Sequence, residues 1–138
     1  MAEWKHINAE DLKPFYPAPE EGYGSKLLTG GQLAGSDVIN INEGTLVGGG
    51  RTSGAAHEKT EIYYIVRGKG DVWLDDDCLH VKPGDIIVIP PSVFHWIDNR
   101  MNQEPFVLHT YWHRQEDNGL YHRRLQEWGT SAKRVDEE

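Results

Sequence analysis

From Asp37 onward the chain alternates short runs of β-branched, aromatic and aliphatic residues with clusters of turn residues. Runs at Val38–Ile41, Thr45–Gly49, Glu61–Arg67, Asp71–Leu74, Ile86–Ile89, His95–Ile97 and Phe106–Trp112 read as strands. Asn42–Gly44, Gly68–Gly70, Asp75–Asp77, Pro83–Gly84, Pro90–Ser92 and Asp98–Gln103 read as the breaks between them. Strands at this spacing predict an all-β sandwich or barrel. No strand–helix–strand unit recurs to build a parallel sheet. Residues 1–36 form a polar lead-in, expected to pack on the barrel. Pro14, Pro17 and Pro19 exclude a long helix there, and a short one around Ala9–Lys13, N-capped by Asn8, is expected. After Arg114 the period becomes helical, with Leu120, Arg124, Leu125 and Trp128 on one face of a helix over Gly119–Trp128. The chain thus reads as one domain: the lead-in, a barrel over 37–114, and a helix with a polar tail over 115–138.

Composition narrows the functional classes. The 138 residues carry 14 Lys and Arg against 22 Asp and Glu, a net charge of −8. Nucleic-acid binding relies on basic patches that displace phosphate counterions, so neither nucleic acid nor an anionic membrane is an expected partner. No apolar run of about 18 residues is present to span a bilayer. Met1–Glu10 contains Glu3, Lys5 and His6 rather than a secretory core. The single cysteine, Cys78, allows no internal disulfide, and a reducing cytoplasmic setting is expected.

Two segments carry chemistry. In His57-Glu58-Lys59-Thr60-Glu61, a straight strand would separate the imidazole and the carboxylate by about 13 Å, too far for one ion with bonds of roughly 2.0–2.2 Å. A turn at Glu58–Thr60 would bring both inward, His57 ending one strand and Glu61 starting the next. Tyr63 and Ile65 then share the face of Glu61. The second segment runs through the apolar strand Ile86–Ile89 and a Pro90–Pro91 turn to His95, which is aimed by a rigid turn as a metal ligand must be. A glutamate inside a barrel is costly unless paired or ligated.

These segments resemble the paired motifs of the cupin superfamily, G-x5-H-x-H-x(3–4)-E-x6-G and G-x5-P-x-G-x2-H-x3-N. Glu61 and Gly68 keep the first motif's terminal spacing, and Gly49 stands near its start. Gly84, Pro90, His95 and Asn99 keep every spacing of the second, with Ser92 in place of its inner glycine. The resemblance covers roughly Thr45 to Trp112. It implies a cupin-type double-stranded β-helix, a jelly-roll barrel with short helical segments at both ends, and a homodimer. It also implies one divalent transition metal (iron, manganese, nickel or zinc) held by His57, Glu61 and His95. The chain departs from the pattern at Ala55, where the first histidine of the H-x-H pair would fall. Two histidines and one glutamate resemble the facial set of non-haem iron(II) oxygenases. Losing a ligand equally fits cupins that work without metal.

Several other residues are candidates for the pocket. Val107, His109, Tyr111 and His113 are the more polar face of the last strand and are expected to point inward. That would make His109 and Tyr111, together with Tyr63, candidates for acid–base work. Arg51 could extend its strand to reach a substrate carboxylate, and Lys59 stands where cupin sugar isomerases can carry a lysine. The expected function is a metal-dependent enzyme acting on a small polar molecule. The alternatives are a metal-free isomerase, lyase or dehydratase, and a non-catalytic binder. Asp75–Asp77 reads as a hairpin turn rather than a calcium loop.

Overall fold

The computed structural model describes residues 4, 6–29, 39–113, 119–130 and 132–136, leaving aside the side chains of 113 and 119–122. Among the described residues there are eight strands: β1 (Tyr23–Thr29), β2 (Ile39–Leu46), β3 (Glu61–Arg67), β4 (Gly70–Leu74), β5 (Asp77–Val81), β6 (Ile86–Ile89), β7 (His95–Asp98) and β8 (Phe106–His113). Helix α1 follows over Gly119–Trp128. The strands form a five-stranded sheet, β1-β2-β8-β3-β6, and a three-stranded sheet, β5-β4-β7. Every pairing is antiparallel. The expected all-β barrel architecture is the one observed.

Period-two alternation places the core between the two sheets. Along β3, Tyr63 and Ile65 are buried while Ile62, Tyr64 and Val66 face outward. Leu46, Ile65, Val72, Ile89, Ile97, Phe106 and Leu108 form the centre of the cluster. Full burial of each such side chain is worth about 1.5–3 kcal/mol. No helix among the described residues is long and apolar enough to cross a membrane.

The motif residues that carry no chemistry have structural explanations. Gly68 has φ +80°, and a Cβ there would collide with the Pro105 carbonyl. Asn99 is fully buried. Its Nδ2 donates to the carbonyls of Leu46, Val47 and Glu104 at 3.2, 3.1 and 2.8 Å, tying the end of β2 to the approach to β8. Ser92, standing at the motif's glycine position, adopts φ +67°.

The structure corrects the strand boundaries. Asn42–Gly44 is not a turn but the middle of β2, a single strand that ends at Leu46. Asn42 and Gly44 are inner-face positions: the Ser25 hydroxyl donates to Asn42 Oδ1 at 2.6 Å, and Gly44 leaves room for the Tyr23 hydroxyl. The lead-in contributes β1, whose inward residues Tyr23, Ser25 and Leu27 hid their alternation behind a polar serine. β5 is half exposed and too polar to show an apolar period. The expected Asp75 turn is present, with Asp77 already in β5. The expected N-terminal helix is a short 3-10 turn, Ala9–Asp11, in which Asn8 accepts from the Glu10 amide at 2.9 Å. The α1 face is seen at Arg124, which is buried, and at Trp128, packed edge-on against Phe15 at 5.2 Å. Leu120 and His122 lie outside the described side chains, and Val38 outside the described residues.

Candidate metal centre

Residues 51–57 run antiparallel beside β7, bridging Arg51 to Asp98 and Ala55 to His95. The chain then bends at Glu58–Lys59, so that Glu61 opens β3 next to His57. The Ser92 amide, in the Pro90–Pro91 turn, donates to the His57 carbonyl at 2.7 Å, fastening the two segments to each other. His95 opens β7.

The three side chains converge. Glu61 Oε1 lies 3.3 Å from His57 Nε2 and 3.3 Å from His95 Nε2. The imidazole rings meet edge-on with centroids 4.8 Å apart. Ligands at about 2.0–2.2 Å from one ion are separated by roughly 3 Å, which both Oε1–Nε2 distances match, and the three donor atoms all lie within 4.8 Å of one another. The far side of each ring fixes its direction. His57 Nδ1 is 2.9 Å from the Lys59 carbonyl and His95 Nδ1 is 3.0 Å from the Val93 carbonyl. A carbonyl can only accept, so each Nδ1 carries a proton and each Nε2 faces the shared point, donating to Glu61 when it holds a proton and offering a lone pair to a cation when it does not. Backbone carbonyls that accept from the far ring nitrogen orient metal-binding histidines in this way. The donor set therefore fits a divalent transition ion.

The electrostatics agree. Burial pushes the Glu61 carboxyl up, but the hydrogen bonds from His57 and His95, reinforced by their charge, outweigh it and hold it below its ordinary range. His57 is raised chiefly by its hydrogen bond to Glu61, with burial opposing. Two imidazole lone pairs facing one carboxylate repel unless a proton or a cation lies between them.

His95 also lines a cavity of about 360 Å³, together with Tyr23, Tyr63, Ala55, Ile97 and Arg123. Ala55 thus stands on the cavity wall with only a methyl group. Burial, with the Glu61 charge second, pushes the phenols of Tyr23 and Tyr63 upward, keeping both protonated at neutral pH. Tyr63 packs edge-on to His95 at 6.0 Å, on the cavity wall as expected. Tyr23 was missed, because nothing in Gly22-Tyr23-Gly24 marks it as a strand residue facing a site.

Four expected pocket residues lie elsewhere. His109 and Tyr111 are on the outer face of β8. Tyr63 pairs with Thr110 and Ile65 with Leu108, so the inward set is Phe106, Leu108, Thr110 and Trp112. The core takes the apolar face, and the polar face goes outside. His109 Nε2 meets Glu43 Oε2 there at 2.9 Å. The His113 side chain lies outside those described. Arg51 stacks over Trp96 with its guanidinium carbon 3.8 Å from the ring centroid, drawn there by the ring's electron-rich face, and does not itself line the cavity. Lys59 is exposed at the bend, and only its carbonyl serves the site.

The family model for the cupin domain matches residues 42–113, more than half of the chain. The chain belongs to the cupin family. An uncharacterised protein of Methanocaldococcus jannaschii is 51% identical over 39 residues, covering 28% of this cupin and 31% of that protein. Quercetin 2,3-dioxygenase of Bacillus subtilis (strain 168) is 31% identical over 87 residues, covering 55% of this chain and 25% of the enzyme. The chain thus spans less than a third of the length of these relatives. Among solved structures, the polyketide cyclase RemF of Streptomyces resistomycificus superposes with a TM-score of 0.75 at 17% identity, covering 99% of this cupin and 88% of RemF. At that identity the likeness is one of fold.

Proposed function

We propose that this cupin is a metal-dependent enzyme that acts on a small polar organic molecule, with iron(II)-dependent oxygenation as the preferred reaction. The observation that carries the reading is Glu61 Oε1 at 3.3 Å from both Nε2 atoms, with both rings turned by backbone carbonyls. The local likeness to a dioxygenase supports it.

His57, Glu61 and His95 would hold the ion, Glu61 cancelling one of its charges. Iron(II) held there would supply activation of dioxygen, whereas manganese, nickel or zinc would supply a Lewis acid. Ala55 leaves the approach from the cavity open. Tyr63 and Tyr23, protonated at neutral pH, each present a phenolic O–H to an oxyanion forming on a bound substrate. Ile97 and the aromatic rings give the cavity wall an apolar lining beside the reacting group.

The test combines metal analysis of purified protein with dioxygen uptake on iron(II) reconstitution, using quercetin and simpler enols and catechols as probes. Uptake that depends on substrate and is lost in His95→Ala is expected. A protein that retains no metal, or turns over a substrate equally well without it, contradicts the reading.

We also propose a homodimer. Ile62, Tyr64 and Val66 on β3, with Ile86 and Val88 on the edge strand β6, form an exposed apolar face that continues into a strand edge with no partner strand among the described residues, a combination suited to a second copy. Sedimentation equilibrium should show a dimer that Val88→Lys dissociates.

A further inference from the structure

The outer face of the three-stranded sheet carries a second convergence of donor atoms. Asp71 on β4 stands directly opposite His80 on β5, and Trp73 opposite Cys78. Cys78 and His80, two residues apart on one strand, share a face. His80 Nδ1 lies 2.6 Å from Asp71 Oδ1. One ligand atom from each residue lies within 4.8 Å of the other two.

The surroundings keep this carboxylate for these two partners. Asp98, opposite Asp71 on β7, is engaged by Arg100 through Nε and Nη2, each at 2.9 Å. Among the described residues, Asp71 ion-pairs with His80 and with no lysine or arginine. Trp73 and Trp96 stack at 5.3 Å and 3°, stiffening the sheet beside the cluster. Val72 and Ile97 point the opposite way, into the core, so this face is separated from the barrel centre by the thickness of the sheet.

We propose that Asp71, Cys78 and His80 form a second metal site, selective for zinc or another thiophilic divalent ion. In the metal-free protein the thiol proton and the imidazole Nδ1 proton, which is donated to the carboxylate, occupy the positions an ion would take. Binding releases the thiol proton to solvent and transfers the imidazole proton to Nε2 by exchange with water, leaving a thiolate, a carboxylate and a neutral imidazole around the dication, with the two negative charges balancing it. A sulfur donor favours zinc over magnesium or manganese, so this site and the all-N/O barrel centre sort ions differently. The 2.6 Å contact must open to about 3.3 Å around an ion with bonds of 2.0–2.3 Å. The His80 side chain is 84% exposed and free to make that turn. Asp71 and His80 also line a groove with Lys69, Lys82, Met101 and Asn102, which leaves a fourth position to water. The ion would clamp β4 to β5 and shield Cys78 from oxidation.

Cobalt(II) titration of the chelator-treated full chain tests this, because cobalt–thiolate bonds absorb in the near ultraviolet whereas N/O-ligated cobalt does not. The expected result is a thiolate band in the wild type. Cys78→Ser abolishes it, His80→Ala and Asp71→Asn each shift its half-saturation about tenfold or more, and His95→Ala retains it in full. No band at saturating cobalt overturns the proposal. So does a band unmoved by both His80→Ala and Asp71→Asn, or one lost in His95→Ala. The last arm keeps this result independent of the barrel centre's fate.

Discussion

The imidazoles of His57 and His95 meet edge-on, 4.8 Å between centroids at 74°, although 38 positions separate them in the chain. Each Nδ1 is held by a backbone carbonyl, so neither ring can turn its Nε2 away without losing a hydrogen bond. Glu61 closes the triangle.

Ala55 bridges to His95 and lines the same cavity. Ala55→His is therefore expected to add a fourth ligand and tighten metal binding about tenfold or more, while closing a position that substrate needs. Competition against a chelator of known affinity reads the first effect and steady-state turnover the second. Unchanged affinity would mean that the methyl group of Ala55 does not face the ion.

His109 lies on the outer face against Glu43. His109→Ala should leave metal content untouched and cost about 1 kcal/mol, the net worth of a typical hydrogen bond. Loss of metal in this variant, measured by elemental analysis, would put β8 in the opposite register.

Gly44 passes beneath the Tyr23 hydroxyl, and a Cβ there would overlap the phenol. Gly44→Ala should displace Tyr23 from the cavity wall and destabilise the protein by about 1–3 kcal/mol, the range for overpacking a dense core. Denaturant unfolding checks it. A stability change near zero would show that the ring has room to move.

The metal-free protein should show a defined pH window. His57 is raised above its ordinary value of 6.5, chiefly by its hydrogen bond to Glu61. Its contribution to stability is fully present below 6.5 and fades as pH rises through the folded value. Glu61 is lowered below 4.5 because the two histidine hydrogen bonds outweigh burial. Its contribution is present above 4.5 and is lost as pH falls through the folded value. The difference in thermal midpoint between chelator-treated wild type and His57→Gln should peak between those two limits. A difference that grows on the alkaline side contradicts the assignment.

The sequence shows the second motif best, because Gly84, Pro90, His95 and Asn99 sit on one rigid turn and its flanking strands, where local spacing dictates position. The bend between His57 and Glu61 is legible for a similar reason: no extended chain brings the two together. β2 misleads because Asn42 and Gly44 resemble turn residues, while their actual task is to hydrogen-bond Ser25 and to admit Tyr23. The inward set of β8 misleads because a cavity expected to be polar drew His109 and Tyr111 inward. Pairing with Tyr63 and Ile65 instead commits Leu108 and Thr110 to that face. Arg124 entering the barrel to reach the Ser25 hydroxyl at 2.7 Å depends on how the helix docks, which no local pattern encodes.

Metal content per chain, measured on protein purified without chelators, tests the central claim most directly when wild type is compared with His57→Ala, Glu61→Gln and His95→Ala, all carrying Cys78→Ser so that only the barrel centre is counted. One transition metal in the parent, lost or reduced at least about tenfold in affinity in each of the three, is the expected outcome. A metal-free parent, or a full complement retained in all three variants, contradicts it.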